Sequence, residues 1–91
     1  MTMTTTLLAH LRAYVLKTYA EDTASIDCIT PRDLFDNAMP SNKVDIWDIA
    51  AEAPADAPGE PGGPSGDYLW ALDKISDTID AARRELWALE Y

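Results

Sequence analysis

The side chains best able to do chemistry in this sequence are its carboxylates. Between Val44 and Asp73 the chain carries seven acidic residues and not one Lys or Arg. They are Asp45, Asp48, Glu52, Asp56, Glu60, Asp67 and Asp73. Paired carboxylates can perform acid–base catalysis, but that chemistry needs a concave pocket, and we expect these acids on outer faces. Solvated negative charge favours two simpler roles: keeping a small protein soluble, or attracting a basic partner.

The charge is unevenly distributed along the chain. Sixteen Asp and Glu stand against seven Lys and Arg, a net charge of −9. The first twenty residues hold Arg12 and Lys17 and no acid, so the remainder has 16 acids against five bases. A negative field attracts basic surfaces and repels nucleic acid and anionic membranes. We therefore expect no direct binding of nucleic acid or membrane, and a protein partner with a basic surface.

Other chemistries are limited by the single cysteine, Cys28, and the single histidine, His10. A zinc site of thiolates and imidazoles needs more such ligands, and a Ser or Cys nucleophile would have only His10 as its base. The spacings of a calcium-binding loop and of a glycine-rich phosphate loop are absent. We expect a non-enzymatic protein without metal or cofactor, in which Cys28 is a small buried residue and His10 lies on the surface.

The composition predicts a cytoplasmic protein. One cysteine permits no intramolecular disulfide, which favours a reducing compartment. The N-terminal segment does not read as a secretory signal because His10 and Arg12 interrupt its apolar run. No stretch reaches the roughly 18 apolar residues of a membrane span.

Apolar spacing predicts an all-α fold, organised as one small domain over residues 1–91. A long first helix is expected over 4–20 and a longer last helix over 67–90, and we expect the two to pack antiparallel. Their candidate N-caps are Thr4, Thr5 or Thr6 for the first, and Ser65 or Asp67 for the last. Residues 53–66 hold four prolines and four glycines, which predicts a flexible, acidic loop.

Two short helices are predicted between the long ones. Thr30 as N-cap and Pro31 at the first helical position predict a helix over 31–39. Ser41 is expected to cap another helix over 43–52. An α+β alternative stays open.

In that alternative, a strand at 25–29 pairs with a strand at 43–48. In the helical interpretation, Trp47 belongs to the apolar side of the third helix. Its polar edge is then formed by Asp45, Asp48 and Glu52, which share a helical face.

The last helix carries two stripes. The first has heptad spacing and is formed by Tyr68, Leu72, Ile75, Ile79, Ala82, Leu86 and Leu89. It predicts either the internal core or a homodimer seam, whose residues would be Leu72, Ile75, Ile79 and Leu86. The second is formed by Trp70, Asp73, Asp77, Asp80, Arg84 and Trp87, with Arg84 able to relieve the charge of Asp80. It predicts either a solvated face with its Trp rings packed inward, or a face that binds a basic partner with aromatic anchors.

These patterns favour a binding protein over an enzyme. The first hypothesis is an acidic protein that inhibits or masks a basic, nucleic-acid-binding surface of a partner. Its concrete form is a viral, phage-type inhibitor of a host defence complex, either anti-CRISPR or anti-restriction. The alternative is a homo-oligomeric helical adaptor or antitoxin-like protein that holds its partner through apolar contacts. The partner-binding residues of the first hypothesis are Trp70, Asp73, Asp77, Asp80, Trp87, Asp45, Asp48 and Glu52.

Overall fold

A computed structural model describes residues 3–39, 44–57, 62–63 and 65–90 of the chain. Within these ranges the protein forms four α-helices and one 3-10 helix, and the predicted all-α class is confirmed. No strand forms among the described residues. The segment proposed as a strand at 25–29 instead belongs largely to the 3-10 helix Thr23–Cys28. None of the described helices is both long enough and apolar enough to cross a membrane.

The first helix, α1, spans Met3–Thr18. It begins earlier than predicted, so the candidate caps Thr4, Thr5 and Thr6 lie inside its first turns rather than before them. The Thr4 backbone N–H and hydroxyl both donate to Glu52 Oε2, each at 2.6 Å. A carboxylate 48 residues away therefore satisfies a free N–H group of the helix start and faces the positive end of its dipole.

The second helix, α2, spans Pro31–Ala38 and confirms the predicted start signal. The Thr30 hydroxyl accepts a hydrogen bond from the Asp33 N–H at 3.2 Å, and Pro31 occupies the first turn, where a missing N–H costs nothing. The helix buries Leu34 and Phe35 completely.

The third helix, α3, is a single short segment, Ile46–Ala50. Its N-cap is Asp45, not the predicted Ser41, which lies outside the described residues. Asp45 and Asp48 form a reciprocal capping box: the Asp45 N–H donates to Asp48 Oδ2 at 2.7 Å, and the Asp48 N–H donates to the Asp45 side chain. The helix buries Ile46, Ile49 and Ala50.

The last helix, α4, spans Gly66–Glu90. The predicted cap Ser65 is confirmed, because its hydroxyl accepts from the Tyr68 N–H at 3.3 Å. Only parts of the predicted loop 53–66 are described; residues 58–61 and 64 lie outside. Gly62 has φ of +78°, a left-handed conformation that favours glycine.

The contacts between α1 and α4 correct the predicted antiparallel packing. Thr4 and Leu8, near the start of α1, line one cleft with Trp70, near the start of α4. Further along both helices, Arg12 forms an ion pair with Glu85. The two helices therefore run in the same general direction. The Glu52–Thr4 hydrogen bonds agree with this direction, since they place the end of the segment before the 53–65 connection beside the start of α1.

All five helices share one hydrophobic core. Its fully buried side chains come from every element and include Leu11, Val15, Ile26, Leu34, Phe35, Ile46, Ile49 and Ile75. Tyr19, just after α1, is also buried, and this burial raises the pKa of its phenol above the usual value, with Tyr14 adding to the effect. The core leaves the opposite side of α4 free for solvent or a partner.

Candidate partner-binding surfaces

The side of α4 away from the core is acidic, and the described residues neutralise only part of its charge. We call this surface, formed by Trp70, Asp73, Asp77, Asp80 and Trp87, the outer face. Asp73 and Asp77 are exposed, and neither has a Lys or Arg partner among the described residues. Asp77 stands four residues after Asp73 and three before Asp80, a spacing at which carboxylates repel one another.

Asp80 is held differently, and by a different arginine from the one predicted. Arg83, not Arg84, pairs with Asp80 at 3.2 Å, and it also reaches Asp27 of the 3-10 helix at 3.0 Å. The same guanidinium lies 5.2 Å from the centroid of the Trp87 ring. Its Nε is buried without a hydrogen-bond partner. Arg83 therefore ties α4 to the 3-10 helix and shields Asp80 and Trp87 at once.

Trp70 lies at the other end of the outer face and is only partly exposed. Its ring packs against the core. This agrees with the interpretation of the stripe as a solvated face whose Trp rings pack inward. The Lys74 ammonium lies 5.5 Å from the ring centroid. Trp70 and Lys74 also line an open cleft of about 370 Å³ with Thr4, Leu8 and Glu52. Both tryptophans of the outer face are thus already covered by a cation of the chain itself.

The three acids near α3, Asp45, Asp48 and Glu52, form hydrogen bonds that stabilise the fold, in addition to any role in binding. Asp45 and Asp48 cap α3, and Glu52 accepts two hydrogen bonds at the start of α1. Glu52 also lies in the cleft beside Trp70, so the structure brings this predicted site residue next to one end of the outer face. Their negative charges remain part of the surface field, since no Lys or Arg pairs with them among the described residues.

Trp47 is the site residue that sequence reasoning missed. It was predicted on the apolar side of the third helix, yet 54% of its surface is exposed. Its ring contacts Tyr68 of α4, with centroids 5.1 Å apart and planes tilted by 41°. Arg32 of α2 donates to the Tyr68 hydroxyl at 3.0 Å. No sequence signal marks this exposure, because α3 is shorter than the predicted helix over 43–52 and its five residues do not turn every large apolar side chain inward.

The heptad stripe of α4 lies in the core of the single chain. Ile75, Ile79 and Leu86 are buried, and Leu72 is partly buried against the same core. Leu89, at the end of the stripe, is 84% exposed. Pairing two chains through the buried positions would therefore require the helices of each chain to separate first.

The remaining candidates for chemistry lie apart from one another. Cys28 is exposed, which corrects the expectation that it is buried, and His10 is exposed as predicted. Across the described ranges, no three His, Cys, Asp or Glu side chains lie close enough together to hold a metal ion.

Comparison with protein-family models, with curated proteins and with solved structures finds no match for this chain. The charge, burial and geometry of its own side chains are therefore the features that bear on its function. Two features stand out on those grounds. One is the unpaired acidic pair Asp73 and Asp77 on the outer face, and the other is the exposed aromatic pair Trp47 and Tyr68.

Proposed function

We propose that this protein is a non-enzymatic, acidic binding protein that masks a basic, nucleic-acid-binding surface of a partner protein. The observation that carries the proposal is the outer face of α4, where Asp73 and Asp77 are exposed without a cationic partner among the described residues. A helix that keeps mutually repelling carboxylates next to one another gives up stability locally. Binding of a partner's Lys and Arg side chains there would relieve the repulsion.

The charge of the whole chain supports the same role. A net charge of −9 on 91 residues creates a field that steers basic surfaces toward the protein and keeps nucleic acid away from it. Carboxylates at helical spacing can occupy the groove in which a nucleic-acid-binding protein holds phosphates. The concrete form of the proposal is a phage-type inhibitor that acts in the cytoplasm on a nucleic-acid-targeting defence complex, as an anti-CRISPR or anti-restriction protein.

The test is capture of partners from a host lysate on the immobilised protein, with mass spectrometry of what is retained. We expect a nucleic-acid-binding complex to be captured at about 0.1 M salt and released at about 1 M, because the screening length falls from about 10 Å to about 3 Å. The variant Asp73→Asn/Asp77→Asn should capture less. Glu21→Gln/Asp56→Asn changes the net charge equally at exposed acids elsewhere and serves as the control.

Capture that survives high salt, or that both double variants retain equally, would contradict the proposal. Either result would move the interpretation to the alternative, a homo-oligomeric helical adaptor or antitoxin-like protein that binds through apolar contacts. The mass in solution separates the two further. The proposal needs only a monomer, whereas the alternative needs a defined oligomer whose seam includes residues that are buried here, Ile75 and Ile79.

A further inference from the structure

The three tryptophans of the chain differ in one respect that bears on binding. The Trp70 ring has the Lys74 ammonium 5.5 Å from its centroid, and the Trp87 ring has the Arg83 guanidinium at 5.2 Å. No Lys or Arg of the described residues lies over the Trp47 ring. Trp47 is also the most exposed of the three, at 54% against 38% for Trp87.

Trp47 is held in place although it is exposed. Its ring contacts the Tyr68 ring at 5.1 Å, and the Tyr68 hydroxyl is in turn fixed by the hydrogen bond from Arg32. α3 is anchored to the hydrophobic core by Ile46 and Ile49, which are completely buried. The aromatic pair is therefore positioned before any partner arrives, which lowers the entropy cost of binding.

Acidic residues predominate in the two segments that carry this aromatic pair. Asp45, the N-cap of α3, stands two residues before Trp47 and Asp48 stands one after it, while Asp67 directly precedes Tyr68 in α4. Arg32, the base that touches the pair, is itself within 3.9 Å of the Asp36 carboxylate. An aromatic ring attracts a cation through its negative face, and neighbouring carboxylates strengthen that preference.

We propose that Trp47 and Tyr68 form the anchor for an arginine side chain of the partner, with the guanidinium stacked on the Trp47 ring. This inference deepens the proposed function and rests on it, because it presumes a basic partner. Arginine is favoured over lysine, since its planar and weakly hydrated guanidinium stacks on aromatic rings, whereas the ammonium is a strongly hydrated point charge. Trp and Arg are also the side chains that most often dominate binding energy at interfaces.

The first test follows the indole N–H signals of the intact, ¹⁵N-labelled protein by NMR at low salt. The probes are two blocked peptides of equal length and charge, one of alternating Arg and Gly and the other of alternating Lys and Gly. The three signals are assigned with single Trp→Phe variants. We expect the Trp47 signal to shift on addition of the arginine peptide, and to shift less with the lysine peptide. A shift confined to Trp70 or Trp87 would overturn the anchor.

The second test measures the Kd of each peptide for variants. Trp47→Leu should weaken binding of the arginine peptide about two- to thirtyfold, the range of a cation–π contact, while Trp47→Phe, which keeps an aromatic ring, should retain most of the affinity. Leu89→Ala is the control, because Leu89 is an exposed apolar side chain outside both the aromatic pair and the outer face. Circular dichroism of each variant checks that the helices are intact.

The outcomes separate this inference from the proposed function. If Trp47→Leu binds the arginine peptide as tightly as the wild type while Asp73→Asn/Asp77→Asn binds it more weakly, the anchor is overturned and the acidic-face proposal stands. If Trp47→Leu weakens binding and the acidic variant does not, the anchor stands and the outer face loses its role. If the wild type binds neither peptide at low salt, both ideas fail.

Discussion

At the scale of single residues, one carboxylate can serve the fold and the surface charge together. The sequence places Glu52 on the acidic edge of a predicted helix. In the structure its carboxylate accepts hydrogen bonds from the Thr4 N–H and hydroxyl and so caps the start of α1. The first turn of α1 contains no acid of its own. The positive end of the α1 dipole is therefore complemented by the negative charge of Glu52, which is 48 residues away in sequence.

Replacing Glu52 by Ala should lower the free energy of unfolding by about 0.5–2 kcal/mol, the usual loss when a helix start loses its side-chain acceptor. Urea unfolding followed by circular dichroism measures the change. Asp56→Ala is the control, because Asp56 is an exposed acid in the connection that follows Glu52, and it should leave stability nearly unchanged. Equal stability of Glu52→Ala and the wild type would show that the contact contributes nothing.

At the scale of elements, α4 is attached to its neighbours near its start and in its second half. Near its start, Tyr68 contacts Trp47 of α3. In its second half Arg83 joins it to the 3-10 helix through Asp27, and Glu85 joins it to α1 through Arg12. The hydrogen bond and the charge of Glu85 raise the pKa of the Arg12 guanidinium above its usual value. These attachments fix the orientation of the outer face.

Arg83→Met tests the central attachment, since methionine keeps part of the apolar stem and removes the charge. We expect a loss of about 1 kcal/mol of stability, because two half-exposed ion pairs and one cation–π contact disappear together. Thermal or urea unfolding gives the value. Arg84→Met, which removes the same charge from an exposed neighbour, should change stability less. An equal effect of the two variants would mean that Arg83 acts only through its charge.

Elements whose signals are local were predictable from the sequence, whereas those that depend on distant residues were not. The Thr30–Pro31 start of α2 and the Ser65 cap of α4 are satisfied within a few residues, and both are confirmed. The start of α1 contacts Glu52, 48 residues away in sequence, and the direction of α1 relative to α4 follows from contacts between segments that are also far apart in sequence. Neither the Glu52 contact nor the relative direction of the two helices produces a periodic pattern in the sequence.

The same contrast applies to the candidate site. The spacing of Asp73 and Asp77 placed them on an exposed helix face, as the structure has them. Spacing alone could not show that Arg83 turns to Asp27 and covers Trp87, because Asp27 is 56 residues away in sequence. Nor could it show that Trp47 is exposed, since α3 is shorter than the apolar run from which it was predicted.

At the scale of the whole molecule, apolar and charged surfaces are separated. The apolar stripes of α1 and α4 and the buried residues of the shorter helices make one core. Most of the excess negative charge is left to solvent, with Asp73 and Asp77 unpaired among the described residues. This separation supports the proposal that the protein binds a basic surface of a partner.

The proposed function requires this chain and nucleic acid to occupy the same surface of the partner. The most direct measurement uses the partner identified by capture, bound to a fluorescently labelled nucleic acid, and follows fluorescence anisotropy as this protein is added. We predict that the nucleic acid is displaced, that Asp73→Asn/Asp77→Asn displaces it less effectively than the wild type, and that Glu21→Gln/Asp56→Asn behaves like the wild type. An anisotropy that stays constant or rises, while the protein demonstrably binds the same complex, would contradict the claim.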